Sequence, residues 1–377
     1  MANTKQADLA GPGISTYPEV EKILPDGYAS LLNHKETAHA LHALKRYLMD
    51  GLCRELNLFP VEVPLIVSRE SGVNDYLDRD GSRTPIEFPC GLGLDKRINA
   101  QVVQAATKWK RMALREFQCD VGEGICTDMR AVRKDYFLDH DHSAYVDQWD
   151  WEKRITAEQR TLATLKDTVR RIWKVIKGAE TFIQSEFPKL EDPRLPNLPD
   201  ELTFLHAEDL LDMYPDLPRK QRETRVLSER HPAVFIIGIG WVLKDGYPHE
   251  MRAADYDDWV TPTVSGDGRP MHGLNGDILV WNPVTRRRHE LTSMGVRVTK
   301  ETLRQQLELS GQLDFLTLPY HQAILNDRIP LSIGGGIGQS RTVMLLLRKA
   351  HLGEVSVTVW PERLKEICEK RNIRVLE

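Results

Sequence analysis

The stretch that most constrains this fold is Tyr145-Val146-Asp147-Gln148-Trp149-Asp150-Trp151-Glu152. Successive side chains of a strand point to opposite faces. This order therefore puts Tyr145, Asp147, Trp149 and Trp151 on one face and Val146, Gln148, Asp150 and Glu152 on the other. The segment is read as a strand that buries its aromatic side and gathers amide and acidic groups on the opposite side. A second strand runs from Gly122-Glu123-Gly124 through Cys126 and Met129 to Arg133. The polar loop at 134–142 would join the two as a hairpin.

A second constraint is Gly334-Gly335-Gly336-Ile337-Gly338-Gln339-Ser340-Arg341, followed by an apolar run at 342–347. Glycines let the backbone approach a ligand closely. A helix beginning there would point free N–H groups at an anion, with Arg341 about one turn inside. The segment is not a P-loop, because no Lys-Ser/Thr pair follows the last glycine. The dinucleotide fingerprint fails as well. Taken alone, it fits a helix-packing turn as well as a nucleotide site.

The remaining periodicities imply an α+β fold. Leu41, Leu44, Leu48, Leu52 and Leu56 recur at helical spacing within 36–56. Residues 59–67 read as an edge or interface strand, since Pro60 and Pro64 cannot donate to a ladder. Residues 78–99 read as loop. A helix is expected over 101–117, with Lys108, Lys110, Arg111 and Arg115 on a solvated face. The longest helix is expected over 156–187, opened by a Thr156/Gln159 capping box. Short helices at 206–213 and 218–229 follow, then a buried strand at 234–240 and a turn at Lys244-Asp245-Gly246. A polar segment, 252–259, precedes two strands joined at Asn282-Pro283. Antiparallel runs interrupted by helices argue against alternating βαβ units. Residues 1–28 are read as a flexible arm and 29–377 as one domain, which the resemblance described below makes the catalytic domain.

A chain of 377 residues is long enough for a substantial core. A net charge of −4 argues against a general nucleic-acid binder. No run approaches the length of a transmembrane helix. The five cysteines are widely spaced and form no C-x-x-C pair, so a reducing, cytoplasmic setting is expected.

Charge concentrates beside apolar strands in five places: Arg130/Arg133, Asp147/Gln148/Asp150, Arg252/Asp255/Asp257/Asp258, Asp277/Glu290 and the glycine segment ending in Arg341. Any one could be a structural ion pair. Together they are costly to bury without a purpose. Asp277 and Glu290 lie on strands either side of Asn282-Pro283, and facing carboxylates repel unless a cation sits between them. An oxygen-only ligand set favours Mg²⁺. Arginines suit planar recognition of carboxylate or phosphate. The set points to an anionic nucleotide, a metal and a small zwitterionic or acidic substrate.

The chain resembles ammonia-dependent asparagine synthetase (aspartate–ammonia ligase), a family related to class II aminoacyl-tRNA synthetases. The resemblance rests on Lys108-Trp109-Lys110-Arg111, Gly122-Glu123-Gly124, the strand at 145–152, the segment at 252–259, Leu274-Asn275-Gly276-Asp277, Ser293-Met294-Gly295-Val296-Arg297 and the glycine segment. These span nearly the whole chain. Gln104-Ala105 stands where the family commonly has His-Ser. The resemblance implies an antiparallel sheet flanked by helices, in a homodimer whose interface motif is 59–67. It implies conversion of L-aspartate, ATP and ammonia to L-asparagine, AMP and pyrophosphate through a β-aspartyl adenylate. It assigns catalysis to Asp75, Arg133 and Arg341, and substrate binding to Lys110, Gln148, Asp150, Arg252 and Asp257. ATP would meet Arg133, His142, Val146, Glu290, Leu291, Arg297, Gly338 and Arg341; Mg²⁺ would sit on Asp277 and Glu290. No nucleic-acid or membrane partner is implied. A class II synthetase for aspartate or asparagine is the nearest rival, but it would need an anticodon module and a basic tRNA surface.

Overall fold

The computed structural model describes residues 15–75, 83–93 and 97–377. Its elements, in chain order, begin with α1 (Tyr17–Ile23), α2 (His34–Leu56), β1 (Leu58–Pro60), β2 (Ile66–Ser68), β3 (Glu87–Cys90), β4 (Ile98–Val102) and α3 (Thr107–Glu116). The central part holds β5 (Gly124–Val132), β6 (Tyr145–Arg154), α4 (Leu162–Glu186), β7 (Thr203–His206), α5 (Ala207–Met213), α6 (Arg219–Glu229) and β8 (Ala233–Ile237). The last part holds β9 (Pro262–Val264), β10 (Pro270–His272), β11 (Asn275–Asn282), β12 (Arg287–Val296), α7 (Lys300–Leu309), α8 (Pro319–Leu325), β13 (Ser332–Gly338), α9 (Gln339–Leu346) and α10 (Glu362–Lys370).

Eight strands form one sheet in the order β1-β5-β6-β13-β12-β11-β8-β7. Its six inner strands pair antiparallel, whereas the outermost pairs, β1 with β5 and β7 with β8, are parallel. The expected antiparallel sheet is thus mixed at both edges. Trp149 and Trp151 face the main core, where α2, α4 and α9 supply Leu44, Leu48, Leu52, Val169, Ile172, Ile176 and Met344. Burying side chains of this size stabilises by roughly 1.5–3 kcal/mol each before entropy is counted. The opposite face carries the polar residues of β6, covered by α3 near the sheet's middle.

Four local expectations shift. The loop at 78–99 contains β3 and part of β4, and β4 pairs with both β2 and β3 in a separate three-stranded sheet; residues 76–82 and 94–96 lie outside the described residues. The interface strand is interrupted: 61–65 carries Pro64 and lies outside both strands, with the Val61 N–H bonding the Cys126 carbonyl at 2.9 Å and the Leu65 carbonyl accepting the Val103 N–H at 3.0 Å. The long helix starts at Leu162, because Thr161 caps it by accepting the N–H of Thr164 at 3.2 Å. The Thr156 N–H does bond Gln159 Oε1 at 2.9 Å, but in the turn ahead of that helix. Part of the stretch read as an arm is packed against the domain. Residues 1–14 lie outside the described residues, yet Val20, Leu24 and Tyr28 belong to the main core. Tyr28 Oη donates to Glu354 Oε2 at 2.9 Å. Apolar positions on α1 attach it to α10.

Candidate functional site

The polar face of β6 and the glycines of β13 form one floor. Gly338, Gly336 and Gly334 lie opposite Gln148, Asp150 and Glu152. A Cβ at Gly334 would stand 1.9 Å from Glu152 Oε2, and one at Gly336 would stand 2.8 Å from Gln148 Oε1. None of these glycines has a positive φ. They are needed for close approach, not for conformational freedom. This corrects the reading of the segment as a turn: it is a strand, flattened to make room for three polar side chains. Helix α9 begins directly after it. Its Ser340 N–H donates to Asp147 Oδ1 at 3.0 Å, while Lys45 Nζ lies 2.8 Å from Asp147 Oδ2. A carboxylate of the chain itself occupies that helix start.

Above the floor lies a cavity of about 100 Å³ lined by Arg133, His142, Val146, Gln148, Glu290, Leu291, Gly338 and Arg341. It shares Arg133, His142, Glu290 and Arg341 with an open cleft of about 1940 Å³ that adds Arg225, Arg286, Arg287 and Arg288. Seven of the eight expected nucleotide residues therefore meet at one place. Arg297 does not. It is 2% exposed, its guanidinium binds Glu152 at 2.8–3.1 Å and Asp257 at its other end, and it lies on the same face at the Gly334 end of the floor, outside the cavity. A buried guanidinium held by two carboxylates supports the site's shape and has no face left for a nucleotide.

Arg133 donates from Nε to the Gln104 carbonyl at 3.0 Å. Arg341 donates from Nε to the Asp141 carbonyl at 3.1 Å, and its Nη1 is 3.8 Å from Glu290 Oε1. Both are thus aimed by carbonyls while the guanidinium edge faces the cavity.

Of the four α3 cations expected in solvent, Arg115 is exposed and the other three are buried. Lys108, Lys110 and Arg111 are each no more than 1% exposed. Lys110 Nζ bonds Asp150 Oδ1, and the Gly335 carbonyl at 2.8 Å. Lys108 Nζ lies 2.8 Å from Asp255 Oδ2, which also receives His321 Nε2 at 3.1 Å. Arg111 Nε donates to the Pro330 carbonyl at 3.3 Å. Cations can be buried here because each finds a fixed acceptor. Sequence reasoning missed Lys108 and Asp255 as a pair. The density of cations on one turn of helix, next to a Trp, was the available signal.

Asp75 is buried beside them. Its Oδ2 accepts the Thr107 N–H at 2.8 Å, and its Oδ1 has no hydrogen-bond partner among the described residues. Burial pushes its carboxyl up to about 6, with Lys108 opposing and Asp255 assisting. Gln104 donates Nε2 to the Asp75 carbonyl at 3.3 Å and its N–H to Asn74 Oδ1 at 3.0 Å. The Gln104 position thus ties Asp75 to Arg133.

Asp277 and Glu290 come together through an irregularity. A register shift between Ile278 and Leu279 pairs Leu279 with Glu290 instead of Leu291. Without that bulge, strict alternation would turn Glu290 toward the core face. Burial and the neighbouring Glu290 charge raise Asp277 to about 7, against the pull of Arg252. Against its own burial, Glu290 is held below the usual range by Arg341, Arg288 and Arg252. Arg252 Nη2 sits 2.5 Å from Asp277 Oδ1 and its Nε 3.7 Å from Asp257 Oδ2. Two carboxylates that raise each other's cost, both oxygen donors, fit a hard divalent cation.

The arrangement can bind a polyanion on one side and a small amino acid on the other. Comparison with known proteins agrees. The sequence pattern of the family described as aspartate-ammonia ligase matches residues 35–372. The aspartate–ammonia ligase of Clostridium perfringens is 44% identical over 358 residues, spanning 95% of this chain and 100% of its own. The chain belongs to the aspartate–ammonia ligase family.

The ligase's fold is that of class II synthetases. Asparaginyl-tRNA synthetase of Entamoeba histolytica superposes with a TM-score of 0.60 at 15% identity, over 86% of this chain and 67% of that one. The same protein in complex with asparaginyl-adenylate gives 0.61 at 12% identity, over 93% and 72%. At such identities the likeness speaks for the fold. No helix among the ligase's described residues is long and apolar enough to cross a membrane.

Proposed function

We propose that this ligase makes L-asparagine from L-aspartate and ammonia, cleaving ATP to AMP and pyrophosphate through a β-aspartyl adenylate in the cytoplasm. The observation that carries the reading is the shared floor of β6 and β13. It puts a cavity with two arginines beside a buried subsite of Lys110, Gln148 and Asp150.

Arg133 and Arg341 neutralise the polyphosphate, so that an aspartate carboxylate can approach the α-phosphorus. Lys110 and Arg252 hold substrate carboxylate, and Gln148, Asp150 and Asp257 hold its ammonium. Asp277 and Glu290 hold Mg²⁺, which when bound offsets negative charge on phosphate oxygens. Asp75 captures the incoming ammonium through its Oδ1, which bonds nothing among the described residues, and takes its proton, since ammonium has no lone pair. A buried carboxylate raised to about 6 is a stronger base than an ordinary aspartate and is still ionised at neutral pH. Ammonia then attacks the acyl carbon and AMP leaves. Homodimer formation through the β1 edge is supported by the exposed Phe117, Val121, Leu65 and Ile66 nearby.

The test is product analysis with aspartate and ATP, offering ammonia, glutamine or tRNA as acceptor. Asparagine with stoichiometric AMP from ammonia alone is expected. Acyl transfer to tRNA without free asparagine would refute the reading.

A further inference from the structure

The loop between β5 and β6 carries a metal-ligating cluster that the proposed reaction does not use. Asp139, His140 and Asp141 bring their ligand atoms within 4.8 Å of one another, and all three are largely withdrawn from solvent. His140 is 2% exposed, and its Nδ1 has no hydrogen-bond partner among the described residues. That nitrogen lies 3.6 Å from Asp139 Oδ1 and 3.8 Å from Asp141 Oδ1. These separations are too long for hydrogen bonds. They are close to the roughly 3.4 Å between donors that each sit about 2.1 Å from one tetrahedral ion.

The surroundings point the same way. His142 Nδ1 takes up part of the acidic charge, 3.0 Å from Asp139 Oδ1 and 2.8 Å from Asp141 Oδ1. Asp139 Oδ1 also accepts the N–H groups of Asp141 and His142, both at 2.9 Å, and its Oδ2 lies 3.1 Å from His142 Nδ1. His289 Nδ1 approaches Asp141 Oδ2 only to 4.0 Å. None of these contacts satisfies His140. Among the described residues, a buried imidazole nitrogen thus faces two carboxylates without a hydrogen bond to either.

We propose that Asp139, His140 and Asp141 bind a divalent first-row transition ion such as Mn²⁺, Co²⁺ or Zn²⁺, at a site separate from the Asp277/Glu290 pair. Mixed nitrogen and oxygen donors select that class over Mg²⁺ or Ca²⁺, which take oxygen. Three protein ligands leave coordination positions open. Asp141 and His142 also line the nucleotide cavity with Arg341, so those positions lie beside the polyphosphate-binding side. The site stands on this cluster alone and does not depend on the reaction proposed above.

The experiment uses the full chain with Co²⁺ alone, without nucleotide. Visible absorption gives affinity and stoichiometry, and hyperfine-shifted N–H resonances count the coordinated imidazoles. The expected result is a Co²⁺ with one coordinated imidazole, distinct from Co²⁺ taken up by the oxygen-only Asp277/Glu290 pair. His140→Gln should weaken binding by more than the about tenfold that even an outer-shell change costs, and Asp277→Asn should leave it in place. Asp141→Asn is the second variant should His140→Gln fail to fold, and the imidazole count on the unaltered protein needs no variant. No binding, no shifted imidazole, a thiolate charge-transfer band, or Co²⁺ lost in Asp277→Asn but kept in His140→Gln would each overturn the proposal.

Discussion

Asp75→Asn is the most informative substitution. The native carboxyl titrates at about 6 rather than 3.8, chiefly because it is buried. Its folded value exceeds its unfolded one, so its contribution to stability is full below about pH 4 and is lost as pH rises through about 6. The shift corresponds to roughly 3 kcal/mol of destabilisation by the ionised form at neutral pH. Asparagine keeps the acceptor for the Thr107 N–H and removes the charge. The variant should therefore unfold at a higher temperature than the native chain at about pH 7.5, with the gain vanishing near pH 4. Its catalysis should move the other way. ATP–pyrophosphate exchange with aspartate should stay within a few-fold of native, whereas amide formation should fall by about 10²–10⁴, the usual worth of a positioned base. In the native enzyme the ratio of amide formation to exchange should drop roughly tenfold between about pH 7 and about pH 5, as Asp75 gains its proton. In Asp75→Asn that ratio should be low and flat. Exchange that falls in step with amide formation, or a pH dependence that survives the substitution, would refute the assignment of Asp75 as the base.

Arg341→Ala should abolish pyrophosphate exchange and leave the thermal midpoint nearly unchanged, since its side chain is partly exposed and held by one carbonyl bond; retained exchange would remove it from the site. Asp277→Asn should raise the Mg²⁺ concentration needed for half-maximal exchange by at least about tenfold, with an unchanged requirement refuting the metal role. Gly334→Ala should cost roughly 3 kcal/mol or more, because a Cβ 1.9 Å from Glu152 Oε2 must break the buried Glu152–Arg297 pair. By contrast, Gly336→Ala meets Gln148 and Asp150 at 2.8–3.0 Å and should impair substrate binding, read as KM for aspartate, more than stability.

How far the sequence reaches follows from which interactions are local. Alternation along 145–152 determined both faces of β6, because strand periodicity is a property of the chain itself. The spacing of Leu44, Leu48, Leu52 and Leu56 likewise determined the buried stripe of α2. The ordered motifs, read together, determined the family. Tertiary structure decided the rest. Glycines at 334–338 look like a turn until β6 is laid beside them and its side chains fill the space above. Lys108, Lys110 and Arg111 look solvated until Asp255, Asp150 and the Pro330 carbonyl arrive from distant segments. Arg297 looks like a nucleotide ligand until Glu152 and Asp257 close on it from two other strands and loops. Glu290 reaches the face of Asp277 only through a bulge that alternation cannot foresee. In each case the deciding partner lies far away in the chain, and a buried charge takes its meaning from the partner that offsets its desolvation.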